Sequence, residues 1–285
     1  MILITGAAGF IGSHLVGGDK ERYVLCDPRD TSMYSPERAL KLLKNIGQIE
    51  AVYHLGAISS TTEKDIIKLT KNNVLFSCQL LDACIDKGIP FIYASSASVY
   101  GLGNNGFFEN TRLTPLNYYA ISKASFDMFA IQKMKDNLDA KIVGLRYFNV
   151  YGQREESKGS MASPIHKFIQ QAREDRKIKV FKGSGGFLRD FIHVDDVVSI
   201  TKAAPKFKNS GIYNVGTGVA RSFMDVAEIV SRHINISQIQ ETTFPDHLIG
   251  KYQNYTRSDN TKINSIGYPL HRTSLEEGIR RVING

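Results

Sequence analysis

The chain opens on a short apolar run, Met1–Thr5, that stops at a cluster of glycines and gives way to helically spaced apolar positions at Phe10, Ile11 and Leu15. That order predicts a buried strand, a tight turn and a helix. Tyr23–Cys26 reads as a second strand ending at Asp27, Pro36–Ile46 as a helix and Ala51–Leu55 as a third strand. Asn73–Lys87 carries helical spacing at Leu75, Cys78, Leu81, Ala83 and Ile85, with Gly88 as its stop signal. Phe91–Ala94 and Lys141–Arg146 are two further buried strands, separated by a helix through Ile121–Met134. Alternating strands and helices predict right-handed crossovers and an α/β fold of the Rossmann type, a doubly wound parallel sheet covered on both faces.

After about residue 150 the rhythm loosens. Helical Ile165–Arg173, strand Lys179–Phe181, helix Val194–Ala203, strand Ile212–Val215, helix Ser222–Arg232 and a last helix near Leu275–Val282 follow in turn. We expect a dinucleotide-binding domain over 1–160 with returning segments near 190–220, and a smaller, interleaved substrate lobe over 161–285. Internal repeats, low-complexity tracts and long Pro/Gly linkers are absent.

The 285 residues, 42% hydrophobic and 22% charged, exclude a disordered chain and suffice for a real core. No apolar stretch is long enough for a bilayer span and MILITGAAGFIG has no basic leader, so neither a membrane anchor nor a signal peptide is expected. Cys26, Cys78 and Cys84 form neither a CxxC pair nor an even framework, which reads as a reduced, intracellular protein, and no metal site is expected. The formal net charge of +8 favours anionic partners. The basic residues are scattered, however, and no nucleic-acid-binding pattern accompanies them, so a phosphorylated small molecule is the better match.

Three groups of residues carry candidate chemistry. Gly6, Gly9 and Gly12 in GAAGFIG follow the first strand and open a helix, where a dinucleotide's pyrophosphate needs close backbone approach; the bland alternative is a ligand-free turn. Asp27, near the end of the second or third strand, is the candidate ribose ligand. The stretch from there to His54 is short for two further strand–helix steps, and both strand assignments stay open. Tyr119 and Lys123 stand one helical turn apart, so an ammonium beside the phenol would lower its pKa from about 10 and make it a usable base. Ser95 and Ser96 follow a strand at the carboxyl edge of the sheet, and Ser96 is placed to bond a substrate hydroxyl.

The segments TGAAGFIG, YASSASVYG, PLNYYAISK and LRYFNVYG resemble the extended short-chain dehydrogenase/reductase superfamily. Within it, SSTTE at Ser59–Glu63, RYFNVYGQREESKGSMAS at Arg146–Ser163, Phe181–Phe191 and FPDHLIGKYQ at Phe244–Gln253 resemble the ADP-L-glycero-D-manno-heptose 6-epimerases. The likeness spans about residues 51–255; the stretch 13–50 matches poorly and is shortened. The resemblance implies a cytoplasmic isomerase of lipopolysaccharide-core sugar metabolism. Its bound NADP takes a hydride from C6 of an ADP-heptose and returns it to the opposite face. The family's lysines for the 2′-phosphate fall in the shortened stretch, so NAD stays open.

By the same resemblance, Tyr119 and Lys158 are two acid/base groups, Lys123 holds the nicotinamide ribose and lowers the tyrosine pKa, and Ser96 contacts the reacting hydroxyl. Phe10, Ile11, Leu55, Gly56, Ala57, Ile58, Ser59, Asn72 and Val150 join the glycines and Asp27 around the cofactor. Ser59, Asn149, Ser160, Phe181, Lys182, Gly183, Ser184, Arg189 and Tyr252 match substrate positions. Lys167, beside His166, stands where the family has a histidine. Arg189 suits bidentate recognition of a diphosphate. A homo-oligomer is expected, with neither nucleic acid nor membrane as partner.

Three rivals remain to be separated. A 4,6-dehydratase would carry an Asp-Glu pair where this chain has Ser96-Ala97-Ser98, and a 4-epimerase has no reason for KGSMAS. A non-catalytic nucleotide-sugar sensor has no need of Tyr119, Lys123 and Lys158. A nucleic-acid binder would lose affinity steeply with salt and hold no nicotinamide.

Overall fold

The computed structural model describes residues 1–26, 36–45, 47–236, 238–244, 253–267 and 272–285. The fully buried β1 (Ile2–Thr5) is followed by the turn and α1 (Phe10–Val16), then by β2 (Tyr23–Cys26), α2 (Pro36–Asn45) and β3 (Ala51–His54). A short α3 (Ile66–Leu69) passes through a π-helical turn, Thr70–Leu75, into α4 (Phe76–Asp86). Next come β4 (Phe91–Ser96), the long α5 (Tyr118–Asp136), β5 (Ile142–Tyr147) and β6 (Asn149–Tyr151). The later part holds α6 (Pro164–Asp175), β7 (Ile178–Phe181), β8 (Leu188–His193), α7 (Val194–Ala203), β9 (Gly211–Val215) and β10 (Ala220–Ser222). The chain then runs through α8 (Phe223–Ile234), β11 (Ile239–Thr242), α9 (Thr261–Asn264) and α10 (Leu275–Asn284).

The main sheet is parallel throughout, in the order β2-β1-β3-β4-β5-β9. Its strands are apolar on both faces because both are covered. One face packs Leu15 and Val16 of α1 with Val197 and Ile200 of α7. The other packs Leu43 of α2, Leu80 and Leu81 of α4, and Phe126 and Ala130 of α5. A separate apolar cluster gathers Ile165 and Ile169, Val226 and Val230, and Leu275 and Ile279 from α6, α8 and α10. It lies with the parallel pair β7–β11 and the three-stranded β10-β8-β6 sheet.

Two particulars of this sheet differ from the simplest reading of the sequence or resolve it. β2 pairs directly with β1, so Cys26 ends the strand beside β1, and among the described residues no strand lies outside β2. Asp27 itself lies outside the described residues. Ser95 and Ser96 are the last two residues of β4, not a turn beyond it, because β5 continues the ladder by pairing Arg146 and Tyr147 with them. Among the described residues no helix is long and apolar enough to cross a membrane.

Candidate active site

The chain leaves β1 toward β2 on one side and returns as β3 on the other, so a crevice opens between the loops that follow β1 and β3, where α/β sheets bind their ligands. The glycine turn is built for close approach there. Gly6 holds φ +73°, and a Cβ on it would lie 2.6 Å from the Gly56 nitrogen; a Cβ on Gly12 would lie 2.1 Å from the Gly6 carbonyl oxygen. Gly9 is the N-cap of α1 with no side-chain cap, which leaves the first amides of the helix for an anion. The turn that carries Gly6, Gly9, Phe10, Ile11 and Gly12 thus packs through Gly6 onto Leu55 and Gly56 after β3, and this cradle fits a dinucleotide pyrophosphate.

The β3 loop is held from behind by a chain of buried polar groups. Gly56 N donates to Thr5 Oγ1 (3.1 Å), which lies 2.7 Å from His54 Nδ1. His54 Nε2 lies 2.8 Å from Ser77 Oγ, whose proton goes to the Asn73 carbonyl. The network therefore places the histidine proton on Nε2. Burial, with Lys123 nearby, pushes the His54 pKa down to about 3, so the ring stays neutral. Asn73 Oδ1 accepts from Ile58 N (2.8 Å), while its Nδ2 donates to Ile58 O (3.0 Å) and Ser122 Oγ (3.0 Å). The neighbouring Asn72 turns back onto Lys68 O.

Ser122 carries that chain into α5 by donating to Tyr119 O at 2.7 Å. Asn117 caps α5, its side chain accepting from Ala120 N, and so fixes where the helix begins and where Tyr119 points. The Tyr119 hydroxyl is hydrogen-bonded to Ser96. Lys123 is buried and donates from Nζ to the Ala94 carbonyl at 2.8 Å. The two side chains are one turn apart on the same helix, but the expected lowering of the phenol by the ammonium is not what this arrangement produces. Burial raises the Tyr119 pKa, Ser96 draws it down and the charge of Asp127 raises it further. The reason is that the Lys123 ammonium is turned to the sheet carbonyl. Burial in turn lowers Lys123 to about 8 against the pull of Asp127.

Lys158 lies in the loop between β6 and α6. Its Nζ is 2.7 Å from Glu155 Oε2 and 4.5 Å from the centroid of the Phe10 ring, a cation–π contact with the first residue of α1. Glu155 is wholly buried and also accepts from Gly152 N (3.2 Å), Ser163 N (2.8 Å) and Ser163 Oγ (2.8 Å). Ser163 Oγ in turn caps α6 through His166 N. Lys167 donates to the carbonyl of the exposed Ser160 at 2.7 Å, and burial with the nearby Lys158 charge lowers its pKa. Thr61, just after Ser59, touches Met161 Sδ at 3.8 Å and ties this loop to the β3 loop.

The residues matched to the sugar nucleotide sit on β6, β8 and the β7–β8 turn. Asn149 donates to Asp190 O (3.3 Å) and Thr256 Oγ1 (3.1 Å), and Val150 packs against the main core. Phe181 stacks edge-on to Phe244 and Lys182 is exposed. Gly183 takes the left-handed conformation that turns the chain, and Ser184 behind it has a buried Oγ without a hydrogen-bond partner among the described residues. Arg189 is buried, donates to Leu188 O and lies 5.7 Å from the Phe223 ring centroid. Tyr252 lies outside the described residues. The segment after it joins the two regions: Gln253 Nε2 donates to Gly101 O, and Tyr255 packs on Phe107.

Residues 2–216 match the NAD dependent epimerase/dehydratase family. The chain belongs to that family. A curated relative from Brachyspira hyodysenteriae, named ADP-L-glycero-D-manno-heptose-6-epimerase, is 39% identical over 99% of this chain and 96% of its own. One of the same name from Alkalilimnicola ehrlichii is 40% identical over 100% and 97%. The crystal structure of the Helicobacter pylori ADP-L-glycero-D-manno-heptose-6-epimerase, 29% identical, superposes with a TM-score of 0.85 over 99% of this chain and 94% of that one. As a member of the NAD dependent epimerase/dehydratase family the chain is an enzyme, and its cofactor is a nicotinamide dinucleotide.

Three residues at the site of this family member were missed by sequence reasoning. Asn73 clamps the β3 loop, Glu155 holds Lys158, and Asp127 lies one turn beyond Lys123 in contact with Arg146. A signal existed for the last pair, since Arg146 interrupts the apolar run of β5. None marked Glu155, one of two adjacent glutamates in a polar stretch.

Proposed function

We propose that this chain interconverts the C6 epimers of an ADP-glycero-manno-heptose, with NADP as the resident cofactor. What supports the reading most is that two proton-handling side chains come from different elements that are both tied to the loop after β3, α5 through Ser122 and Asn73 and the Lys158 loop through Met161 and Thr61. Tyr119 stands beside Ser96 on α5, and Lys158 rests on Phe10 of the cofactor turn. A bound nicotinamide supplies hydride removal and return at the sugar carbon. Tyr119 takes or gives the O6 proton in one sugar orientation and Lys158 in the other, since the ketone must present both faces. Ser96 orients the hydroxyl, and Lys123 swings from Ala94 O to the nicotinamide ribose. The Gly6–Gly12 turn and Leu55–Ser59 hold the dinucleotide, with Val150 beside them. Arg189 and the Phe181–Ser184 turn grip the nucleotide end of the sugar, where the unpaired Ser184 hydroxyl finds its partner.

Incubating the purified enzyme with either C6 epimer should yield both, with no net consumption of added NADPH. Steady NADPH oxidation, or conversion of UDP-glucose at C4 in place of the heptose, would overturn the reading. Nucleotide released on denaturation should have the mass of NADP; NAD would show that the shortened stretch changed specificity without touching the mechanism. The smaller lobe closes over the sugar. The exposed Ile121, Met128 and Ile131 along α5 favour a homo-oligomer, readable by light scattering, and the reading is that of a cytoplasmic enzyme.

A further inference from the structure

Behind Lys123 lies a charge cluster that takes no direct part in the chemistry just described. Asp127 is 0% exposed, on the same face of α5 one turn after Lys123. Its Oδ1 accepts from Tyr93 OH at 3.0 Å, and its Oδ2 accepts from Ser95 Oγ at 3.0 Å and Arg146 Nε at 2.9 Å. Arg146, itself 1% exposed, donates to Tyr100 OH (2.9 Å) and Glu109 O (3.2 Å). Tyr100 donates onward to Asn214 Oδ1 at 2.6 Å on β9. One carboxylate is therefore clamped between α5, β4 and β5 by three donors. None of those donors is Lys123, whose Nζ bonds Ala94 O on the opposite side of Ser95 from Ser96.

A buried ion pair is weak evidence for stability, because desolvation offsets most of its attraction, so its position is the feature to explain. Resting on the reading that Tyr119, Ser96 and Lys123 act at the sugar and nicotinamide, we propose that Asp127 is a positioning residue. Held by Arg146, Tyr93 and Ser95, it is the counter-charge that keeps Lys123 an ammonium, and it fixes the end of β4 that carries Ser96. Lys123 bonds the Ala94 carbonyl on β4, has the neutral His54 of β3 nearby and follows Tyr119 by one turn on α5. Among the described residues, Asp127 is the charged group that raises Lys123. Its charge raises Lys123, which burial has brought down to about 8, and it raises Tyr119 as well. Removing the charge lowers both groups, so the pH range of activity moves down as a unit. Simple loosening of the fold would lower activity at every pH.

The test compares wild type, Asp127→Asn and the double variant Asp127→Asn/Arg146→Met, the last leaving no unpaired buried charge should the single variant fail to fold. Turnover is followed from pH 6 to 9, and NADPH and NADH affinity of the nucleotide-stripped protein is titrated by fluorescence over the same range. Both variants should match wild-type affinity and match or exceed wild-type turnover near pH 6, and fall about tenfold or more below it at pH 8.5, the loss that a shift of one pKa unit produces. Profiles of unchanged shape, even with uniformly lower activity, would overturn the proposal and leave Asp127 a fold-holding residue. Lys123→Met separates the two layers of the argument. If it impairs turnover and affinity while the Asp127 profiles stay put, only the positioning role fails. If it changes neither, the reading of the site itself fails.

Discussion

The two lysines proposed to work at this site are held in opposite ways. Lys123 is 8% exposed, set on a 19-residue helix and hydrogen-bonded to the sheet itself. Lys158 is 24% exposed on a loop, and what stations it is one buried carboxylate, Glu155, together with the face of Phe10. The first is a group whose charge the interior tunes; the second is a group whose reach a loop sets. An enzyme that must serve two orientations of one ketone needs both kinds, one wall that stays fixed and one that accommodates. The comparison makes the two regions separable by mutation.

The largest effect belongs to the proton-handling groups. Tyr119→Phe and Lys158→Met should each lower epimerisation by about 10²–10⁴-fold, the usual contribution of a general acid/base, with circular dichroism unchanged. Bound nucleotide should survive both but be weakened by Lys123→Met, as read from the purified proteins. Next comes the floor shared by the two regions. Gly6→Ala pushes a methyl against Gly56 from a left-handed backbone, and the purified variant should carry no nucleotide.

Smaller effects distinguish the walls by stability. Glu155→Ala strips partners from Gly152 N, Ser163 and Lys158, and should cost about 3 kcal/mol in urea unfolding, since the half-open lysine recovers water while the buried donors do not. His54 tests the fixed wall. Its folded pKa, about 3, lies below the unfolded value, so its contribution is complete above about pH 6.5 and is lost as pH falls toward 3. Stability should drop by about 2 kcal/mol between pH 6.5 and 5, and His54→Gln should flatten that slope.

How much of this was written in the sequence follows from the range of each interaction. The glycine turn was legible because its function needs missing side chains at fixed spacing directly after a strand, and Tyr119 with Lys123 because helical geometry puts them on one face. The alternation that predicts a doubly wound sheet is likewise local. Asn73 was missed in favour of Asn72 because the turn at Thr70–Leu75 is π-helical, and its extra residue per turn rotates the neighbouring side chain toward Ile58. The sequence reads Ser96 as lying beyond its strand because the extension of β4 depends on pairing with Tyr147, 51 residues away in sequence. The partnership of Asp127 with Arg146 and the burial of Glu155 arise only when separate elements pack; the charge of Arg146 within an apolar strand hints at the first, and nothing in the sequence marks the second.

The central claim, that Tyr119 and Lys158 serve different orientations of the same carbon, is tested most directly by half-reactions. Tyr119→Phe and Lys158→Met, each loaded with oxidised nucleotide, are mixed separately with the two C6 epimers, and the absorbance of reduced nicotinamide is followed through a single turnover. The account predicts that each variant reduces its nucleotide with one epimer only, and that the two variants choose opposite epimers. Reduction by both variants with the same epimer, or wild-type epimerisation by Lys158→Met, would contradict it.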